Sequence, residues 1–234
     1  MKQLADTALV IIARYPELGK TKTRLARSIG AEATVQLYAA FLTDLAQRFA
    51  GQTYDLYWTF TPADVDYAAF MATLVPEFAS SMVCFPQQGA DLGDRLLHAF
   101  QWMHAQGYQN TILIGSDSPH VSRNIIANAR VALDEADVVL GPSDDGGYYL
   151  IAMHEPHDVF SNIPMSTSVV IQRTIEQAER QGLTVQCIDP LFDIDELPDL
   201  LRLAQLLATD SQLAPTTAAA ITSTRSLHDH NIHC

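Results

Sequence analysis

The stretch Ala8–Arg27, ALVIIARYPELGKTKTRLAR, decides how this chain is read. Its opening run, Ala8 to Ala13, is apolar and branched, with the length of a buried strand. Pro16 and Gly19 then bring a turn. Lys20, Lys22, Arg24 and Arg27 follow within eight residues and include two of the chain's three lysines. The chain as a whole is acidic, with 27 Asp and Glu against 14 Lys and Arg and a formal net charge of −13. Basic charge packed into one loop of such a chain points to an anion, read here as the phosphates of a nucleotide. A helix start just after a strand is where backbone N–H groups and the helix dipole favour negative charge. A solvated basic helix start is the alternative, and it costs stability because cations oppose the dipole at that end. The loop lacks the G-x-G-x-x-G of a dinucleotide site. It also lacks a full Walker A motif: Gly19-Lys20-Thr21 supplies the end, but Arg14 stands where the first glycine belongs.

Outward from this loop, short apolar runs alternate with helical patterns. The strand candidates are Ala8–Arg14, Tyr54–Phe60, Met82–Phe85, Thr111–Ile114, Val138–Leu140 and Val185–Ile188. Between them Leu37, Phe41, Leu45 and Phe49 recur every four residues, as do Leu92, Leu96 and Phe100, with Met103 next on that face. Ser166–Arg180 and Leu197–Leu207 are further helix candidates. The alternation predicts an α/β fold: a mostly parallel sheet with helices on both faces, in three α/β/α layers. Ligands on such sheets sit at the carboxyl ends of the strands. The spacing predicts one domain over residues 1–210 and a weakly ordered tail over 211–234. In that tail His228, His230, His233 and Cys234 are either metal ligands or a polar end without a scaffold.

Four further segments carry candidate chemistry. Gly115-Ser116-Asp117-Ser118-Pro119 delivers one carboxylate to a strand end. Asp117 suits Mg²⁺ (or Mn²⁺), which takes one or two carboxylates with water and phosphate oxygens; a helix N-cap is the plain alternative. Asp144-Asp145-Gly146-Gly147 follows another strand, and an Asp-Gly hairpin turn is its plain alternative. Asp193-Ile194-Asp195 aims two carboxylates to one side of an extended segment, for a cation or for mutual pKa elevation. The alternative there is a capping Asp195 and a solvated Asp193. Arg95, at the start of the Leu92 helix, reaches a phosphate or a carboxylate, or else pairs with Asp91 one turn earlier.

The acidic balance excludes a duplex nucleic-acid binder and disfavours an anionic membrane surface. No run is long enough to span a bilayer and no signal peptide is evident, so a cytoplasmic protein is the expectation. Cys84, Cys187 and Cys234 show no metal spacing; the first two read as buried, reduced thiols. No G-x-S-x-G elbow supports a serine hydrolase.

Taken in order, Lys22-Thr23-Arg24-Leu25, Leu92-Gly93-Asp94-Arg95-Leu96, Gly115 to Pro119, Asp144 to Leu150, Ser166-Thr167-Ser168 and Asp193 to Leu197 form a pattern. It resembles the bacterial glycosyltransferase-like proteins of the nucleotide-diphospho-sugar transferase superfamily, which have the GT-A fold. It is more distantly similar to the guanylyltransferase that activates a phospho-carboxylate for deazaflavin-cofactor assembly. The resemblance runs from about Ala8 to Leu200. It implies a nucleotide-binding half followed by an acceptor-binding half. It also implies a nucleotide or nucleotide-sugar donor, a small-molecule acceptor, and transfer of either a glycosyl or a nucleotidyl group. A non-catalytic nucleotide-binding protein is the reading from another class, and a homodimer is compatible with the pattern. Arg14, Gly19, Lys20, Lys22, Arg24 and Arg95 would hold phosphates. Asp117, Asp193 and Asp195 would hold the metal. Ser116, Gly146, Gly147, Ser166 and Thr167 would face the acceptor, with Asp117, Asp144 and Asp145 catalytic. The chain departs from the pattern in carrying one carboxylate, Ser116-Asp117-Ser118, where such glycosyltransferases usually carry Asp-x-Asp. Its first loop is also poorer in glycine, and Met165 replaces an aromatic.

Overall fold

A computed structural model describes residues 5–231. Seven strands form one sheet: β1 (Thr7–Arg14), β2 (Asp55–Thr61), β3 (Val83–Pro86), β4 (Asn110–Gly115), β5 (Val138–Pro142), β6 (Tyr148–Met153) and β7 (Val185–Cys187). Their order is β3-β2-β1-β4-β6-β5-β7. All neighbours are parallel except β6, which runs antiparallel to both β4 and β5. The expected α/β sheet with helices on both faces is therefore present, with one reversed strand. The helices are α1 (Thr23–Ile29), α2 (Ala31–Phe49), α3 (Tyr67–Leu74), α4 (Leu92–Ala105), α5 (Arg123–Ala132), α6 (Val170–Arg180), α7 (Leu197–Thr209) and α8 (Pro215–Asn231).

The central strands are continuously apolar because both of their faces are covered. In β1, Leu9, Ile11 and Ala13 enter one core with α2, α3, α5 and α7. Ala8 and Val10 enter a second core, built with α4 and with Ala178 of α6. In β4, Ile112 and Ile114 join the first core and Leu113 the second. The alternation follows from strand geometry, which turns successive side chains to opposite faces.

Three expectations need correction. The Asp144–Gly147 segment is the turn of the β5–β6 hairpin: Gly146 N donates to the Ser143 carbonyl at 3.1 Å and Ser143 N to the Gly147 carbonyl at 3.0 Å. The plain alternative for that motif is thus the local structure it adopts. Cys187 is exposed, since β7 is a three-residue edge strand; Cys84 is half-buried, and burial pushes its thiol up to about 12. The residues after 210 are helical and packed at least through Ile221, with Ala214, Thr217 and Ile221 buried. The buried Asp44 carboxylate of α2 accepts the N–H groups of Thr216 and Thr217 at 2.9 and 2.8 Å, satisfying the first turn of α8. His228, His230, His233 and Cys234 lie outside the described side chains. Among the described residues no helix is long and apolar enough to cross a membrane.

Candidate functional site

The strand order reverses direction between β1 and β4, and the loops leaving these two strands diverge there. That is the place where open α/β sheets form a ligand crevice. A cleft of about 440 Å³ occupies it. One side is the first loop, with Arg14, Lys20, Thr21, Lys22 and Arg24. The other is Ser116, Asp117 and Asp195, while Arg95, Gln87 and Thr61 reach in from α4, from just past β3 and from β2.

The first loop is held by short bonds. Lys20 and Thr21 both donate N–H to the Glu17 carbonyl, and Glu17 N donates back to the Thr21 hydroxyl at 2.8 Å. Gly19 sits at φ +74°, a conformation that suits glycine. Lys20 is exposed and pairs with Glu17 at 3.0 Å. Arg24 is exposed and reaches Asp195 at 2.8 Å and Glu196 at 3.4 Å. Exposed pairs of this kind are worth little, so both cations remain available to a phosphate. Among the described residues neither Arg14 nor Arg95 is in an ion pair. Arg95 Nε donates to the Gly89 carbonyl at 3.4 Å, so the pairing with Asp91 does not form. Asp91 instead caps α4, accepting the Asp94 N–H, while Asp94 accepts that of Ala90.

Lys22 behaves differently from its neighbours. It takes a left-handed backbone conformation (φ 42°, ψ 55°) just before α1, and its side chain is only 5% exposed. Its ammonium lies 2.7 Å from Asp117 Oδ1 and 3.3 Å from Asp195 Oδ1, and donates to the Ile194 carbonyl at 2.7 Å. Burial disfavours the charged form, but the two carboxylates outweigh it and the net effect raises the pKa. The rings of Tyr38 and Phe41 lie 5.9 Å away. α1 has seven residues and no side-chain cap, so the basic loop is organised around Lys22 rather than around a helix end.

The aspartates expected to converge do so in part. Asp117 and Asp195 meet at Lys22. Asp193 stands behind them, with Ser118 Oγ 2.5 Å from one carboxylate oxygen and Ser143 Oγ donating to the other at 2.9 Å. Burial, with Asp117 close by, lifts Asp193 to about 6. Among the described residues no three His, Cys, Asp or Glu side chains converge to hold a metal ion. Neither capping alternative holds: Ser122 caps α5, and Glu196 with Asp199 caps α7.

The remaining expected residues lie outside the cleft. Asp144 is exposed and pairs with Arg202 of α7. Asp145 accepts the Gly147 N–H within its own turn. Gly146, at φ +88°, presses against the backbone of Ser168, where a Cβ would fall 2.1 Å from the carbonyl oxygen. Ser166 and Thr167 are exposed, and the Thr167 hydroxyl donates to the Pro164 carbonyl. Ser116 does line the cleft, bonded to Tyr38 at 2.7 Å.

Sequence reasoning passed over Tyr38, whose hydroxyl joins Ser116 to the Arg14 backbone N–H. Burial and the charge of Asp117 push it up to about 12. It sits on the buried face of α2, where it reads as an ordinary core aromatic. Gln87 was equally silent; its amide donates to the carbonyls of Ala13 and Thr59 at the ends of β1 and β2. Beside Asp117 the cleft adjoins a second pocket of about 240 Å³, lined by Ile12, Leu92, Leu96, Leu113, Tyr148 and Ile151 with Asp193 at its edge.

Comparison with known proteins agrees with this architecture. The profile of a family described as "Uncharacterized protein conserved in bacteria (DUF2064)" matches residues 45–167. A crystal structure from Desulfovibrio desulfuricans G20, provisionally named a nucleotide-diphospho-sugar transferase, is 31% identical with a TM-score of 0.87. The match covers 96% of this chain and 97% of that one. A 4-diphosphocytidyl-2C-methyl-D-erythritol synthase from Anaerococcus prevotii DSM 20548 is 8% identical, with a TM-score of 0.57 over 87% of this chain and 97% of that one. A cytidylyltransferase from Leptospira borgpetersenii is 10% identical, with a TM-score of 0.56 over 99% and 96%. These last two share the fold alone. A search of curated proteins gave no match.

Proposed function

The chain belongs to the DUF2064 family, and from the cleft it carries we propose a nucleotide-dependent transferase that moves a sugar from a nucleotide-sugar donor to a small acceptor. The observation that carries this reading is Arg14 and Arg95, two arginines without carboxylate partners among the described residues, which line one cleft with Asp117 at the reversal point of the sheet. In so acidic a chain, cations gathered there are best explained by the phosphates of a ligand. Arg14, Lys20, Arg24 and Arg95 would bind the donor's phosphates and neutralise the charge that builds up as the diphosphate leaves. The apolar pocket next to Asp117 would seat the body of the acceptor and keep water from the transferred group. Asp117 has one oxygen engaged by Lys22, and its other oxygen would be left for the donor or the acceptor. A divalent ion carried on the phosphates would supply further charge neutralisation there, and one carboxylate plus phosphate oxygens is a donor set Mg²⁺ accepts.

Transfer of a nucleotidyl group from a nucleoside triphosphate is the second reading. The number of cations favours it: four basic side chains line the cleft besides Lys22, and a triphosphate carries more charge than a sugar diphosphate ester. One experiment separates the two. The protein is incubated with nucleotide sugars or NTPs, Mg²⁺ and a panel of small acceptors, and the products are read by ³¹P NMR. Release of a nucleoside diphosphate supports sugar transfer, and release of pyrophosphate supports nucleotidyl transfer. Binding without turnover of any donor would leave a non-catalytic nucleotide-binding protein.

A further inference from the structure

We propose that the Lys22 ammonium stands in the place of a protein-bound divalent ion. Asp117, Asp193 and Asp195 then form no metal site of their own, and a divalent ion enters the cleft only on the phosphates of a nucleotide.

Lys22 has three N–H donors and three acceptors, Asp117 Oδ1, Asp195 Oδ1 and the Ile194 carbonyl, so its charge is committed. The side chain is closed off from solvent, with Tyr38 and Phe41 beside it. A hard cation between Asp117 and Asp195 would have to expel this ammonium or sit against it, and like charges at such distances repel strongly away from water. Asp193 cannot compensate, because both its oxygens face serine hydroxyls. The departure from Asp-x-Asp fits the same arrangement. Ser118 stands where the second carboxylate would be, and it is turned inward, its hydroxyl within donating reach of the Phe192 carbonyl and Asp193. One side of the cleft therefore carries a lysine-bridged pair of aspartates. The second half of the inference, entry with a nucleotide, rests on the proposed function; the first half does not.

The test uses Mn²⁺ as the probe, followed by the EPR signal of the free ion, on the full chain without nucleotide. Wild type is expected to take up no Mn²⁺ at submillimolar concentration. Lys22→Met leaves two facing carboxylates without a cation and is expected to bind at least tenfold more tightly than wild type; adding Asp117→Asn should abolish that gain. Stoichiometric uptake by wild type that Asp117→Asn removes would overturn the proposal, and so would a folded Lys22→Met protein that stays silent. Should Lys22→Met fail to fold, wild type against Asp117→Asn still decides. Repeating the titration with ADP, GDP, CDP or UDP tests the second half: Mn²⁺ taken up beyond what the nucleotide alone binds supports it. Nucleotide binding in EDTA is measured separately. Its absence for every base would defeat the nucleotide reading and the second half, leaving the Mn²⁺ result without nucleotide to judge the first.

Discussion

Ser118 Oγ lies 2.8 Å from the Phe192 carbonyl and 2.5 Å from Asp193 Oδ1. A hydroxyl has one proton. It serves the Phe192 carbonyl or the Asp193 carboxylate at any one moment, and donation to Asp193 works against the burial that raises that carboxyl to about 6. Next along the chain, the His120 ring is buried against Phe192, with neither nitrogen hydrogen-bonded among the described residues. Burial first, then the charges of Arg48 and Arg202, lower it to about 4. Its folded pKa lies below the unfolded value, so the contribution of the neutral ring is present above about pH 6.5 and is lost as pH falls toward 4. The lost stability is on the order of 2–3 kcal/mol. His120→Phe keeps the ring contact, and its Tm is expected to fall less than that of wild type between pH 6.5 and 4, measured by circular dichroism melts. At the cleft, Arg95→Ala removes a charge-assisted contact without touching the core. Donor affinity should weaken about 10- to 100-fold by calorimetry, with Tm unchanged.

The β5–β6 hairpin shows how a motif that reads as candidate chemistry can be the turn that holds two elements together. Its turn binds the start of α6 through the Ile171 N–H to the Gly146 carbonyl, and Gly146 lets its backbone touch that of Ser168 just before the helix. Gly146→Ala is expected to cost about 2–4 kcal/mol in chemical denaturation, from a positive φ and a backbone clash together. The other strands were legible within about two residues, since apolar runs between turn signals survive in any context. β6 was not, because its Tyr148–Met153 run was absorbed into the preceding Asp-Asp-Gly-Gly motif. α8 was illegible for a different reason: its Ala- and Thr-rich sequence shows little apolar period, and its start is capped by Asp44, 172 residues away. Within the site, Asp117 and the basic loop could be found because strand ends gather ligands. The partner of Lys22 could not, since no local pattern records that Asp195 arrives beside it. A serine reads as an ordinary polar residue until the fold shows which way it faces, as with Ser118 and Ser143.

At the scale of the whole molecule, one sheet joins two cores, and α8 completes the outer surface of the first by packing on α2. Removing residues 211–234 would uncover that face, vacate the contacts of Ala214 and Ile221, and leave the buried Asp44 carboxylate without its two N–H donors. A loss of about 3–5 kcal/mol is expected in denaturant titration. An unchanged midpoint would show residues 1–210 to be a unit by themselves. The tether between Lys22 and Asp195 also bears on synthesis. Domains form as units while the chain emerges, and this cleft draws on residues from Ile12 to Asp195. Until Asp195 has emerged, Asp117 and Lys22 lack the third member of their cluster. The cleft is thus complete only once Asp195 has been made, so a ligand that needs all three residues could not hold or guide a shorter nascent chain.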